Sequence, residues 1–400
     1  MKERVLFVDD EPNILNGLRR MLRSKRANWD LHFANSGTEA LQLLQSQPID
    51  IVVSDMKMPV MDGAALLTRI SKLHPNTIRI ILSGYADKEA VLRTIGPAHQ
   101  YLAKPCHRDL LFETIKRSLD LRDLLSSEKL RAIANSVDTI PTPSSVFNKL
   151  IQELSNSSTT TDRIVAIIES DLSLAANFLK LTNSAYFGLG GSDFSLKQAV
   201  QQLGIETIKA ITMVAGTFHC FEGSVEDMEE ISAIGQKSIL TGQLSHTIAR
   251  KLDLEARLVD QAYIAGTMSQ IGTLLLLTSH TKVHRELQKL AHAPNIQRVQ
   301  RSRQLIGASI GEVGGYLLGI WGFTDPIVEA VVFASTPSEC SAKQISPLTC
   351  VHLAQAFAAG GDNSDSLDDA YLSQMGLSDR LEGLQDACQS VLNRGAAAQS

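Results

Sequence analysis

The first 120 residues of the chain alternate short apolar runs with segments of helical periodicity. The runs are rich in Val and Ile and carry no alternating polar face, which is typical of parallel strands that are buried on both sides. A helix after each run returns the chain to begin the next parallel strand. The pattern predicts an α/β domain whose parallel sheet is covered by helices on both faces. The expected strands are 5–8, 31–34, 49–54, 78–83 and 100–103, with helices such as 13–26 and 38–45 between them.

From about residue 109 the pattern turns helical and stays helical. Apolar positions predict one long helix from 109 to about 135, and the following sequence IPTPSS ends it because proline cannot continue a helix. We therefore expect an α/β domain joined by a long helix to an all-α domain. The expected division is a first domain at 1–125, a helical linker at 126–140, a second domain at 141–360, a helical extension at 361–394 and a disordered tail at 395–400.

The composition argues against several classes of protein. Residues 131–400 carry 19 Lys and Arg against 27 Asp and Glu, and this acidity argues against an electrostatic grip on nucleic acid. The five cysteines are widely spaced without a C-x-x-C pair, which is typical of reduced thiols. The first residues show no signal-peptide pattern, and no apolar run is long enough to span a bilayer. We therefore expect a cytoplasmic protein without a membrane segment.

Five polar residues stand at the carboxyl ends of the expected strands, namely Asp9, Asp10, Asp55, Ser83 and Lys104. Ligands bind at this edge of an open parallel sheet, so we expect these side chains to converge. Any one of the acids alone is more typical of a helix N-cap or a solvated loop residue. All five polar residues at strand ends in this order are not explained in that way. Clustered carboxylates favour a hard cation such as Mg2+. With a hydroxyl and a lysine, they predict a site for a phosphoryl group on a carboxylate.

Four stretches carry a resemblance to a known family: VLFVDDEPNIL, VVSDMKMPVMDG, IILSGYAD and YLAKP. They resemble the signature stretches of the response-regulator receiver domain (CheY-like) over about residues 3–125. The resemblance implies a flavodoxin-like fold of five β-α units with strand order 2-1-3-4-5. It also implies phosphoryl transfer from a sensor histidine kinase or phosphotransfer protein to Asp55. The implied Mg2+ ligands are Asp9, Asp10, Asp55 and the backbone carbonyl of Lys57.

The same resemblance assigns roles to the ends of the fourth and fifth strands. Ser83 and Lys104 would bind the phosphoryl oxygens. Ser83 and Tyr101 would form a switch, in which the phosphoryl group draws Ser83 inward and Tyr101 follows. The Lys104–Pro105 bond would be cis in a tight turn. The surface that changes would be built around residues 83–95 and 100–119.

The helical region resembles a second family over about residues 133–360. The stretches IPTPSSVFNKLIQELSN, IVAIIESDLSLAANFLKLTNSAYFG and LKQAVQQLGIETIKAIT resemble the opening of the HDOD domain, a degenerate relative of HD and HD-GYP phosphohydrolases. The later run AYIAGTMSQIGTLLLL resembles the helix that bears the His-Asp pair of those enzymes. The resemblance implies that Ser-Gln replaces this pair and that no imidazole or carboxylate stands at the other metal-ligand positions. The residues at these positions are Lys237, Ser269, Gln270, Ile310, Ala334 and Ser335.

These replacements bear on three hypotheses for the helical region. HDOD domains are non-catalytic interaction modules, so the leading hypothesis is a response regulator whose phosphorylation controls an HDOD domain that binds an unknown protein partner. This hypothesis needs no cofactor beyond the Mg2+ of the receiver. It leaves open whether the protein forms a homodimer. An alternative is a module that binds a signalling nucleotide such as cyclic di-GMP, or regulates a phosphodiesterase, without cleaving substrate itself. A transcription factor is disfavoured because the helical region is acidic and lacks a helix-turn-helix pattern.

Overall fold

The computed structural model describes residues 2–23, 29–84, 97–121, 125, 127–137, 144–156, 158–182, 195–205, 208, 212, 225–290, 293–341, 344–359 and 366–397. Most of the expected switch surface at 83–95 lies outside the described residues. Within the described ranges, no helix combines the length and the apolar character that crossing a membrane requires.

The amino-terminal region forms a five-stranded sheet in the order β2-β1-β3-β4-β5, and every strand pair is parallel. Both the order and the parallel pairing confirm the predicted fold class. Every expected strand is present, and the apolar runs are buried because helices cover both faces of the sheet. The strands are β1 Glu3–Val8, β2 Trp29–Ala34, β3 Ile51–Asp55, β4 Ile78–Gly84 and β5 Gln100–Lys104.

Alternate residues of β1 face opposite sides of the sheet and belong to two different apolar cores. Val5 and Phe7 pack with the helices α1 and α4 on one side. Leu6 and Val8 pack with α2 and α3 on the other side. These helices are α1 Pro12–Met21, α2 Gly37–Ser46, α3 Gly63–Leu73 and α4 Arg108–Asp120.

The connection to the helical region differs from the expected long helix over 109–135. Helix α4 ends at Asp120, and a separate helix, α5, covers Glu128–Ser136. The side chain of Ser127 accepts a hydrogen bond from the backbone amide of Leu130, so it caps the start of the second helix. The apolar pattern was correctly helical, but this cap begins a new helix and the chain is free to change direction.

Beyond α5, the described residues form helices and no strand. The expected disordered tail at 395–400 is wrong in its first residues, because the last helix continues to Ala397. The alanines there favour helix more than any other residue type. The helices are α6 Ser144–Leu154, α7 Thr161–Glu169, α8 Leu172–Thr182, α9 Leu196–Leu203, α10 Val225–Lys251, α11 Ala256–Met268, α12 Ile271–Ser279, α13 Thr281–Gln288, α14 Asn295–Ile306, α15 Ile310–Ile320, α16 Asp325–Phe333, α17 Pro347–Ala358, α18 Asp369–Gln374 and α19 Leu381–Ala397.

One apolar core continues from the α1/α4 side of the sheet, through α5, into the helical region. Leu121 and Leu125 belong to it, together with Leu317 and Trp321 of α15. The approach is close at Gly319, where an added Cβ would lie 2.6 Å from a methyl carbon of Leu121. A second core joins α10 and α11 to α17, α18 and α19. Through the first of these cores, the α/β domain and the helical region are in direct apolar contact.

Candidate functional site

The carboxyl edge of the sheet brings an ion cluster together from three strands. Asp9 directly follows β1, Asp55 ends β3 and Lys104 ends β5. The ammonium of Lys104 donates to Asp9 Oδ2 over 2.7 Å and also to Asp55 Oδ1. Both aspartates are buried, at 2% and 8% exposure. Parallel strands end at the same edge, so residues far apart in sequence meet here, as the strand pattern predicted.

Burial and charge act in opposite directions within this cluster. Burial raises the pKa of the Asp55 carboxyl, and although Lys104 lowers it, the charge of Asp9 raises it further. Burial disfavours the charged form of Lys104, but the hydrogen bonds and charges of Asp55 and Asp9 outweigh it, so the pKa of Lys104 is raised. Lys104 is therefore cationic at neutral pH. It is the group that offsets the repulsion between two neighbouring carboxylates.

The turn after β3 is shaped around the Asp55 carboxylate. The backbone amide of Lys57 donates to Asp55 Oδ2 over 2.7 Å. Gly63 begins α3 directly beneath, where an added Cβ would lie only 2.3 Å from the carbonyl oxygen of Asp55. The side chain of Asp62 caps α3 by accepting from the amide of Ala65 over 2.8 Å. These contacts fix the orientation of Asp55 and require glycine at position 63.

Asp10 is only half-buried, and the described residues contain no cluster of three carboxylate, imidazole or thiolate groups spaced to hold a metal ion. The structure thus joins Asp9 and Asp55 through Lys104 and does not draw Asp10 into the same cluster. The donor chemistry nevertheless suits a hard divalent cation, because carboxylate and carbonyl oxygens are the ligands that Mg2+ prefers. The resemblance to receiver domains predicts that Asp9, Asp10, Asp55 and the carbonyl of Lys57 would hold such an ion, and this ligand set stays a prediction.

Ser83 and Tyr101, the two expected switch residues, lie inside the domain in this structure. Ser83 in β4 is fully buried, and its hydroxyl has no hydrogen-bond partner among the described residues. Tyr101 in β5 is 1% exposed and packs in the core beside α2 and α3. Both side chains are already inside in this structure, and their movement on phosphorylation stays a prediction. The unpaired hydroxyl of Ser83 is the feature that could accept a new partner. The Lys104–Pro105 bond is cis.

A buried polar junction connects the α/β domain to the helical region. Arg79 of β4 donates to the backbone carbonyl of Asn135 over 2.6 Å, and His99 Nε2 lies 2.9 Å from the same oxygen. Tyr316 of α15 donates its hydroxyl hydrogen to Asn135 Oδ1 over 2.9 Å. Arg79, Asn135 and Tyr316 are all 0% exposed. Nearby, Arg117 of α4 forms an ion pair with Asp325 of α16 over 2.7 Å.

This junction was not expected from the sequence, although the sequence contains one signal for it. A single arginine interrupts the apolar run IRIILSG, and a fully buried arginine requires partners. His99 is held in one tautomer, because its Nδ1 accepts from the backbone amide of Arg79 over 3.1 Å. Its proton therefore resides on Nε2 and is donated to Asn135. Burial, together with the charges of Arg79 and Lys180, lowers the pKa of His99 well below its ordinary value.

A second cluster lies in the helical region. The six positions that the resemblance to HD phosphohydrolases predicts to replace metal ligands line a single cavity, which has a volume of about 160 Å³. The cavity lies between α10, the α11–α12 junction, α14, α15 and α16. Among its described lining residues there is no histidine, cysteine, aspartate or glutamate. The six positions are Lys237, Ser269, Gln270, Ile310, Ala334 and Ser335.

Comparison with known families agrees with this geometry. The response regulator receiver domain family matches residues 5–116, and the HDOD domain family matches residues 140–337. The chain joins a receiver domain to an HDOD domain. The receiver match covers the ion cluster, the HDOD match covers the six named positions of the cavity, and α5 lies between the two matched segments. Receiver domains generally use Mg2+ for phosphorylation, which agrees with the oxygen donors around Asp55.

Relatives of the receiver domain occur in several signalling proteins. The hydrogenase transcriptional regulatory protein HoxA of Bradyrhizobium diazoefficiens is 33% identical over 119 residues, covering 29% of this chain and 24% of that protein. The sensor kinase CckA of Brucella abortus is 40% identical over 124 residues, covering 30% of this chain and 13% of the kinase. This chain thus spans a quarter or less of these relatives. The similarity supports a two-component response regulator.

A solved structure and a longer relative complete the comparison. The signal receiver domain of an HD domain-containing protein from Pseudomonas fluorescens Pf-5 is 34% identical, with a TM-score of 0.29, and covers 31% of this chain and 98% of that chain. An uncharacterized protein of Treponema pallidum is 21% identical over 220 residues, covering 55% of this chain and 42% of that protein.

Proposed function

We propose that this protein is a phosphorylation-controlled adaptor in two-component signalling. Asp55 accepts a phosphoryl group from a sensor histidine kinase or a phosphotransfer protein, and the HDOD domain acts by binding a partner protein instead of by catalysis. The proposed division is a receiver at 1–125, a linker at 126–140, the HDOD domain at 141–360 and a helical extension beyond it. The single observation that carries the proposal is that β4 holds Ser83 near the phosphoacceptor and Arg79 in the junction.

The chemistry at Asp55 follows from its contacts. One carboxylate oxygen forms a bond to phosphorus as the P–N bond of a phosphohistidine breaks, and the histidine nitrogen keeps the electron pair. Lys104 faces the reacting carboxylate and neutralises charge on the incoming phosphoryl oxygens. The unpaired hydroxyl of Ser83 donates to one of those oxygens. Mg2+, when bound, supplies further positive charge at the same edge.

Signal transmission follows the two strands that reach both places. β4 runs from the buried junction at Arg79 to Ser83, and β5 follows His99 directly and ends at Lys104. A phosphoryl group that binds Ser83 and Lys104 therefore contacts β4 and β5. The same two strands carry Arg79 and adjoin His99, the residues that contact the carbonyl oxygen of Asn135. The junction is closed in the unphosphorylated structure, so control requires phosphorylation to favour another arrangement. We propose that phosphorylation loosens the junction and changes the surface that the HDOD domain presents.

The cavity lining supports the non-catalytic role of the HDOD domain. Metal-dependent phosphohydrolases need imidazole and carboxylate ligands to hold their ions. The described lining supplies hydroxyl, amide, aliphatic and cationic side chains instead. The purified protein should not hydrolyse cyclic dinucleotides in the presence of Mn2+ or Fe2+. Metal-dependent turnover that is lost when Ser269 is replaced by Ala would contradict this assignment.

The test measures hydrogen exchange at the junction with and without beryllofluoride and Mg2+, which mimic a phosphoryl group on aspartate. Exchange in β4, β5 and α5 should increase in the wild type and stay unchanged in Asp55→Asn. Asp62→Asn is the matched control, because it makes the same acid-to-amide change in the same turn and asparagine also caps helices. This control should respond like the wild type. Unchanged exchange at the junction in the wild type would contradict the proposal.

A further inference from the structure

The cavity that replaces the metal site in the HDOD domain contains two cations instead of metal ligands. Lys237 of α10 and Arg298 of α14 both line it. Lys237 is exposed at the mouth of the cavity, and Arg298 is half-buried. Burial lowers the pKa of Lys237, and the charge of Arg298 lowers it further. Burial alone lowers the pKa of Arg298.

Neither cation has a counter-charge in the part of the chain that the structure describes. No ion pair joins Lys237 or Arg298 to a described carboxylate, and the described lining is free of acidic side chains. Two like charges that line one cavity repel each other when the cavity is empty. An anion in the cavity would offset the repulsion between the two cations.

A third polar group in the cavity is also without a partner. Ser269 is 9% exposed, and its hydroxyl makes no hydrogen bond within the described residues. Buried hydroxyls are almost always paired with protein, water or a ligand. By contrast, neighbouring Gln270 already accepts a hydrogen bond from Thr273 over 3.2 Å. A hydroxyl donor beside two cations is a set of groups suited to the oxygens of a phosphate.

The remainder of the lining limits what can be attached to the anion. Val299, Val331, Val332 and Ala356 supply an apolar wall, and no aromatic side chain lines the described part of the cavity. A nucleobase therefore has no aromatic platform on which to stack. The volume of about 160 Å³ accommodates a compact ligand. The chemistry favours a phosphate group that carries a small, non-aromatic substituent.

We propose that the HDOD cavity binds a small phosphate-bearing anion, held by Lys237, Arg298 and the hydroxyl of Ser269. Two protein cations thus take the place that two metal ions hold in the hydrolytic relatives, and they retain phosphate without cleaving it. The site is independent of Asp55 chemistry, so it stands or falls separately from the adaptor function. It provides the HDOD domain with a second input, set by the concentration of a metabolite.

The test is calorimetric titration of the full chain with inorganic phosphate and with pyrophosphate at low ionic strength. Lys237→Met and Arg298→Met should each weaken binding by about tenfold or more, since each removes a charge-assisted contact. Ser269→Ala should weaken it by a smaller factor. Arg301→Met is the matched control, because Arg301 lies one turn further along α14 and is exposed. It should bind like the wild type.

A stability measurement separates ligand binding from a structural role. Without phosphate, Lys237→Met should unfold at the same or a higher denaturant concentration than the wild type, because it removes one of the two like charges that line the cavity. With phosphate, the wild type and Arg301→Met should be stabilised more than Lys237→Met. Absence of binding up to about 10 mM, roughly the weakest site worth assigning, would overturn the proposal. Equal weakening by Arg301→Met, or destabilisation by Lys237→Met, would overturn it too.

Discussion

Replacing Tyr316 by phenylalanine tests the buried junction with the smallest possible change. The ring and its packing are retained, and only the hydroxyl that donates to Asn135 Oδ1 over 2.9 Å is lost. Both residues are 0% exposed, so water does not replace the missing donor. A buried acceptor left without its donor costs about 1–3 kcal/mol. The junction should therefore open roughly five- to 150-fold more often, if the whole cost falls on domain contact.

The assay is hydrogen exchange followed by mass spectrometry on peptides from β4, β5 and α5. Tyr371→Phe is the matched control, because the hydroxyl of Tyr371 bonds to Thr349 over 2.7 Å within the helical region and the residue is also buried. Tyr316→Phe should increase exchange across the junction. Tyr371→Phe should increase exchange only around α17 and α18 and leave β4 and β5 unchanged.

Two results would refute the argument. Unchanged exchange in β4, β5 and α5 of Tyr316→Phe would mean that the Asn135 contact does not hold the domains together. Equal increases at the junction in both variants would mean that lost global stability, and not the interdomain contact, accounts for the effect. Increased exchange at the junction in Tyr316→Phe alone would instead mean that phosphorylation has to change the equilibrium between the closed and the open junction.

Three further predictions address the receiver site and the pH dependence of stability. Gly63→Ala should reduce phosphoryl acceptance at Asp55 and destabilise the protein, because the added Cβ would collide with the Asp55 carbonyl. Gly17→Ala is the comparison, because an added Cβ meets open space there, and it should stabilise α1 by about 0.5–1 kcal/mol in denaturant titrations. The lowered pKa of His99 means that its contribution to stability is complete above about pH 6.5 and falls as pH decreases below that value, so the pH slope should flatten in His99→Gln. Burial raises the pKa of Asp171 from 3.8 to about 6, so stability should fall as pH rises between these values and stay lower above them. Asp171→Asn, which keeps the helix cap, should therefore be more stable than the wild type at pH 7.5 but not at pH 4. A wild-type pH slope in His99→Gln, or a pH-independent effect of Asp171→Asn, would contradict these assignments.

The sequence by itself determined the α/β fold and the edge at which the receiver site forms. Short Val- and Ile-rich runs with intervening helical periods describe local burial, and local burial is sufficient to predict parallel strands. Once the strands are known, Asp9, Asp55 and Lys104 must meet, because parallel strands end at one edge. The resemblance to HD phosphohydrolases also predicts that Ser269 and Gln270 replace metal ligands, and this stays a prediction.

Only the tertiary structure determined which residues of different elements contact one another. The bond between Tyr316 and Asn135 joins residues that are 181 positions apart, and no periodicity in either segment encodes such a contact. Arg298 lines the cavity but belongs to α14, a helix that contains none of the expected metal-ligand positions. The burial of Ser83 and the separate helix after Ser127 likewise depended on packing. Periodicity reports which face of a segment avoids water, whereas the partner of that face is chosen by the packing of the whole chain.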